Sequence, residues 1–202
     1  MIKSILAGFV IGIGGTVYLS CDNRYIGAFL FSIGLLLVLI YEFNLYTGKV
    51  PYMKIKRASV KRVTVALIGN TIGAFITGII FSFTNLELSQ KAAVICNRKL
   101  SEGFRVAVLA IMCNVLIFFA VDIWHKSEWS SDMKVVLRAP MVVLCIMVFI
   151  LCGFEHSIAN IFYFSLGRVF NLDALLYLIA NIIFNGIGGL MIHYAVSQYN
   201  KR

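Results

Sequence analysis

Apolar residues run along this 202-residue chain in six stretches, each closed by charged or turn-forming residues. The stretches are approximately Ser4–Ser20, Tyr25–Tyr46, Val63–Thr84, Gly103–Trp124, Val135–Leu166 and Ala174–Tyr199. A helix needs about 20 apolar residues to cross the hydrocarbon of a bilayer, so the pattern predicts an all-α fold of six transmembrane helices with short connections. Two stretches are irregular. The fifth is too long for one crossing and holds Gly153-Phe154-Glu155-His156-Ser157-Ile158-Ala159-Asn160 in its middle, which predicts half-helices near Val135–Cys152 and Ile158–Leu166 with a loop between them. The second runs into Glu42, Asn44, Thr47, Gly48 and Pro51, which predicts an unwound stretch near Leu45–Lys49. The breaks fall second in the first three spans and second in the last three. That is the spacing of a 3+3 inverted repeat, with residues 1–84 and 85–202 as the two halves of one transmembrane domain. The run Asn70-Thr71-Ile72-Gly73-Ala74 in the third span parallels Asn185-Gly186-Ile187-Gly188-Gly189 in the sixth, with small residues where helices approach closely.

Composition removes the soluble alternative. Hydrophobic residues make up 60% and charged residues 13%, and mean hydropathy is +0.90. An ordinary soluble domain has about 45–50% and about 25%. Six spans leave no room for a separate soluble domain. The first stretch lacks a small-x-small cleavage site and reads as a span rather than a removable signal.

A formal charge of +9 raises the question of nucleic acid, but the placement of the cations points to the bilayer. Lys3, Lys49, Lys54, Lys56, Arg57, Lys61, Arg62, Lys126, Lys134, Arg138, Lys201 and Arg202 fall on one side of the six-span arrangement. Arg24, Lys91, Arg98, Lys99, Arg105 and Arg168 fall on the other. The richer side is expected to be cytoplasmic, with both termini on it. The five cysteines form no CxxC or Cys/His spacing, so no metal or cofactor is expected. Cys113, Cys145 and Cys152 read as buried small apolar residues, and Cys21 and Cys96 could meet in loops on one side.

The polar patch is the chemistry. Ionisable groups at bilayer depth are costly and by default line a substrate, ion or proton path, which makes His156 the first candidate. Taken alone, the pattern reads as a channel or carrier. An intramembrane enzyme built on Glu155 and His156 is disfavoured, since no HExxH, Ser/His/Asp set or metal cluster is present. An aquaporin-type pore for a neutral solute is the alternative, although no Asn-Pro-Ala box exists and the only prolines are Pro51 and Pro140.

The patch, in order with Gly34-Leu35, Leu45-Tyr46-Thr47-Gly48, Gly69-Asn70, Ile72-Gly73-Ala74, Cys113-Asn114 and Ile187-Gly188-Gly189, resembles the signature of the formate/nitrite transporter family over essentially the whole chain. The resemblance implies an aquaporin-like protomer with its own pore in a homopentamer, passing formate, nitrite, hydrosulfide or a similar small monovalent anion across the cell (inner) membrane. It implies a central pore of His156, Thr47, Asn160 and Glu155, an outer constriction of Phe31 and Phe149, and an inner constriction of Leu35, Leu45 and Asn114. The family's lysine at the outer mouth matches Lys99 or Arg98, with Lys99 preferred. Glu155 reads as an acceptor for loop N–H groups rather than a proton carrier. Three departures stand out: Asn44 replaces the usual acid before the Leu-aromatic-Thr loop, with Glu42 two places upstream; Phe184 replaces a glycine; and the chain starts directly in the first span, so gating by an N-terminal amphipathic segment is not expected.

The implied mechanism is proton-linked. Stripping water from an unpaired anion costs many kcal/mol, and protonating a weak-acid anion between two apolar collars removes most of that cost. An imidazole titrates near physiological pH, so His156 can share a proton with an anion beside it.

Overall fold

The computed structural model describes residues 1–125 and 131–201. Lys126 and Arg202 of the basic group lie outside the described residues, as does the side chain of Lys134. Helices α1 (Ile2–Ser20), α5 (Arg57–Thr84), α7 (Arg105–His125) and α10 (Leu172–Tyr199) are each long and apolar enough to cross a membrane. The remaining apolar helices have shorter apolar runs, that of α8 being Val136–Leu151. They are the pieces of the second and fifth stretches: α2 (Arg24–Phe31), α3 (Ile33–Ile40) and α4 (Tyr46–Lys49), then α8 (Ser131–Leu151) and α9 (Ser157–Leu166). No strand occurs among the described residues.

Helices α1 and α5 pack as one tight pair and α7 and α10 as another. Glycine makes both contacts possible: a Cβ on Gly73 would collide with the carbonyl of Ile5, and one on Gly188 with that of Ile111. Such small-residue seams let apolar helices gain van der Waals contact where lipid offers no hydrophobic drive for association.

Both breaks are built by the same termination. At the end of α3, Glu42 N–H donates to Leu39 O (3.3 Å) and Phe43 N–H to Val38 O (2.8 Å). At the end of α8, Gly153 N–H donates to Ile150 O (3.1 Å) and Phe154 N–H to Phe149 O (2.9 Å). Each is a Schellman motif, which turns the chain through a left-handed residue and satisfies the last carbonyls. Glu42 (φ 53°) and Gly153 (φ 70°) are those residues. The first break therefore lies at residues 41–45, not at Leu45–Lys49 as the sequence predicts; Thr47 and Gly48 sit in the helical turn that follows it. The restarting ends are Tyr46 and Ser157, the second where the sequence predicts a half-helix from near Ile158.

One element was not expected. Residues between the third and fourth spans form α6 (Leu86–Leu100), capped by Asn85, whose side chain accepts from Leu88 N–H. Glu87 in its first turn and Arg98 and Lys99 in its last suit the helix dipole. Its buried Leu88, Ala92 and Cys96 repeat every four residues, one face of a helix. Cys96 is thus inside a helix, burial pushes its thiol up to about 12, and both it and Cys21 are free, so the bond between them does not form. Cys113 and Cys145 are buried as expected, but Cys152, at the end of α8, is exposed.

Candidate functional site

Thr47 and His156 come from breaks more than a hundred residues apart and meet in the buried centre, Thr47 Oγ1 lying 2.9 Å from His156 Nε2. His156 is also the N-cap of α9, its Nδ1 accepting from Ala159 N–H at 3.2 Å. A backbone N–H can only donate, so Nδ1 is an acceptor and a neutral ring carries its proton on Nε2. Nε2–H then donates to Thr47, which leaves the threonine hydroxyl hydrogen free for another acceptor.

Two buried asparagines hold the breaks. Tyr46 N–H donates to Asn70 Oδ1 (2.7 Å), and Asn70 Nδ2 donates to Asn44 O (2.8 Å) and Ser4 O (2.7 Å). Ser157 N–H donates to Asn185 Oδ1 (2.8 Å), and Asn185 Nδ2 donates to Glu155 O (2.8 Å) and Ala110 O (2.7 Å).

Beside His156 lies an ion pair between the buried Glu155 and the partly buried Lys99. Lys99 Nζ donates to both oxygens of Glu155 at 2.5 Å. Asn160 Nδ2 donates to Glu155 Oε2 (2.7 Å) and to Asn181 Oδ1 (3.1 Å). The Glu155 carboxylate is therefore served by side chains, not by the loop N–H groups expected from the sequence. A buried carboxylate needs this many donors, because an unpaired one costs several kcal/mol.

Two cavities flank this centre, one lined by His156 itself and the other by Leu45 and Gly48, close to Thr47 in the chain. One of about 430 Å³ is lined by Arg24, Arg98, Lys99, Phe31, Phe149 and His156 among others. One of about 340 Å³ is lined by Lys3, Glu42, Leu35, Leu45, Gly48 and Lys49 among others. The two share no lining residue. A further chamber of about 960 Å³, holding Arg62, Asp122 and Tyr52, shares Gly48, Lys49, Val121 and His125 with the second cavity.

A polar centre at the meeting of two broken helices, flanked by separate cavities inside an apolar bundle, has the architecture of a membrane pathway. The family model described as Formate/nitrite transporter matches residues 1–199. The chain belongs to the formate/nitrite transporter family. It is 26% identical over 190 residues to the formate channel FocA of Escherichia coli (strain K12); the alignment covers 82% of this chain and 65% of FocA, so the chain spans less than two thirds of that relative's length. Among solved structures, it resembles a pentameric formate channel with formate bound (24% identity, TM-score 0.76, covering 98% of this chain and 92% of that one). It also resembles an FNT family ion channel (20% identity, TM-score 0.81, covering 98% and 88%). Membership makes it a multi-pass membrane protein whose relatives are channels and transporters rather than enzymes.

Around this centre, the predicted residues divide. His156, Thr47, Glu155 and Asn160 come together. Phe31 and Phe149 meet edge to face with centroids 5.9 Å apart, and Phe149 stacks on the His156 ring at 6.0 Å. Leu35 and Leu45 line the second cavity. Asn114 lines none of these cavities; it is fully buried, and its Nδ2 donates to the carbonyl of Asn185 on α10 at 2.8 Å. Lys99 spends its charge on Glu155, which leaves Arg98 and Arg24 as the cavity's other cations. Sequence reasoning missed Arg24, which donates to the carbonyls of Ile150 (3.3 Å) and Leu151 (2.6 Å) and so caps α8. It also missed Asn181, one turn before Asn185 on the same helix face, a spacing that could have been noticed.

Proposed function

We propose that this protein passes small monovalent weak-acid anions, formate, nitrite or hydrosulfide, across the cell (inner) membrane, with a proton shared at His156 between two apolar constrictions. The observation that carries this reading is the Thr47–His156 hydrogen bond, which sets one neutral imidazole and one free hydroxyl hydrogen beside the aromatic pair Phe31 and Phe149. A bare anion meeting those rings loses hydration that nothing apolar replaces. As the conjugate acid it crosses cheaply, and Thr47 can donate to its oxygen or sulfur at the midpoint. Arg24 and Arg98 draw anions towards one cavity, and Lys3 and Lys49 towards the other.

In this reading the chain forms six crossings as a 3+3 inverted repeat, an aquaporin-like protomer within one transmembrane domain. The matched Schellman ends, the matched asparagines and the paired packing of α1 with α5 and α7 with α10 support it. The termini are cytoplasmic by the excess of Lys and Arg on their side. The assembly is a homopentamer, as in the formate channel it resembles. The protein needs no cofactor or metal and does not act on nucleic acid.

A second reading has its own support. Lys99 and Glu155 cancel each other, so the centre around a neutral His156 carries no net charge, which suits a neutral solute. Proteoliposomes separate the two. The anion reading expects formate, nitrite or hydrosulfide flux that rises as pH falls and that drops at least tenfold in His156→Ala. Osmotic swelling with small neutral solutes, independent of pH, decides for the alternative, and anion flux unchanged by His156→Ala overturns the proton-sharing role.

A further inference from the structure

We infer that Asn70 and Asn185 are positioning residues for the central contact: each fixes one broken segment so that Thr47 and His156 meet within hydrogen-bond reach. The functional part rests on the anion-passage reading; the geometric part does not. Each asparagine is fully buried, and each uses its acceptor and both N–H donors. Its oxygen takes the first N–H of a restarting helix, Tyr46 or Ser157. Its nitrogen takes the carbonyl two residues earlier, Asn44 or Glu155, and a carbonyl on the long helix packed alongside, Ser4 on α1 or Ala110 on α7. One planar amide therefore locks the end of a break and the helix that restarts after it to a pair of spanning helices.

Thr47 follows Tyr46 directly, and His156 precedes Ser157 directly, so neither reacting side chain is more than one residue from a clamped N–H. A slip of about 1 Å at either clamp takes a 2.9 Å hydrogen bond past its useful range. The contact itself cannot supply that precision, being a single bond between two separate breaks.

The clamps are braced differently. The carbonyl of Asn185 accepts from Asn114 Nδ2. The carbonyl of Asn70 instead lies against Gly8, where an added Cβ would collide with it. Gly8 on α1 and Asn114 on α7 hold matching places, since Ser4 and Ala110, four residues before each, accept from the two asparagines. This gives Asn114 a reason to be polar that does not require it to line the pathway.

The test is a double-mutant cycle on the full chain in proteoliposomes, with formate as the probe. Asn70→Ala and Asn185→Ala should each lower formate flux about tenfold in the natural chain, yet by less than about twofold when Thr47→Val has already removed the contact. An equal fold loss in both backgrounds, in protein that assembles normally, overturns the inference and leaves the asparagines as holders of the fold alone. Where an alanine variant does not assemble, Asn70→Ser and Asn185→Ser, which keep a polar side chain, take its place in the same cycle. A second measurement stands apart from transport. The nitrogen-15 resonance of His156 Nε2 should move in Asn70→Ala to where it lies in Thr47→Val, and an unmoved resonance overturns the inference. If the natural chain carries no formate, nitrite or hydrosulfide, the proposed function fails, while the resonance still decides the positioning role.

Discussion

The two breaks are near copies in backbone and opposites in chemistry. Each ends a helix through a left-handed residue, runs three residues, and restarts under an asparagine from a long helix. The first has Glu42 at the left-handed position, Asn44 with its carbonyl clamped, and Leu45 at the N-cap, which has no side-chain acceptor. The second has Gly153, Glu155 and His156 in those places. The second break caps itself and carries an ion pair. The first relies on Asn70 for its restart and pays a conformational cost at Glu42. A shared backbone design therefore fixes where the two breaks meet, and the side chains decide that the turn restarting after the first contributes a hydroxyl and the N-cap ending the second an imidazole.

That contrast can be tested by stability in detergent. Lys99→Met leaves Glu155 buried without its cation and should cost about 3–5 kcal/mol; adding Glu155→Gln should recover most of it. Asn44→Ala, at the matching place of the first break, should cost less than about 0.5 kcal/mol, because Asn44 engages the fold through its backbone. Asn70→Ala strands one N–H and two carbonyls and should cost about 3 kcal/mol. Asn185→Ala should cost nearer about 2 kcal/mol, since His156 still caps α9. Equal losses for the two asparagines would remove the claim that the first break depends more on its clamp.

His156→Ala should lower stability by about 1 kcal/mol as a lost cap and lower anion flux at least tenfold. His156→Asn, which keeps a cap-forming side chain, should recover the stability and not the flux. A variant that recovers both would show that the imidazole's contribution is capping alone. At the left-handed positions the signs should reverse between breaks. Glu42→Gly should raise stability by about 0.5–1 kcal/mol. Gly153→Ala should lower it by a similar amount through backbone strain, because open space surrounds an added Cβ there.

Much of this was readable from the residues in order. Long apolar runs announce spanning helices because the bilayer demands length and hydropathy together. The string around His156 announced a break because glycine and three polar groups cannot continue an apolar crossing cheaply. The first break was placed a few residues late, since Tyr41 and Phe43 look apolar and Glu42 reaches its left-handed turn without glycine. Helix α6 was overlooked because a search for crossings passes over a short amphipathic helix, although Asn85 and the spacing of Leu88, Ala92 and Cys96 mark it. The hydrogen bond from the Asn114 amide to the carbonyl of Asn185 was not foreseen, because it joins residues 71 positions apart.

By itself the sequence determined the membrane class, the broken second and fifth segments and the identity of the central polar residues. Those properties depend on local composition: which stretches can sit in hydrocarbon, and which residues interrupt them. Tertiary structure decided the pairings: Thr47 with His156, Lys99 with Glu155, and one asparagine with each break. A lysine looks the same in the sequence whether it stands free at a mouth or is held by a carboxylate. Only the packing of α6 against the second break brings the two charges together, and a carboxylate as buried as that of Glu155 is costly without a cation beside it.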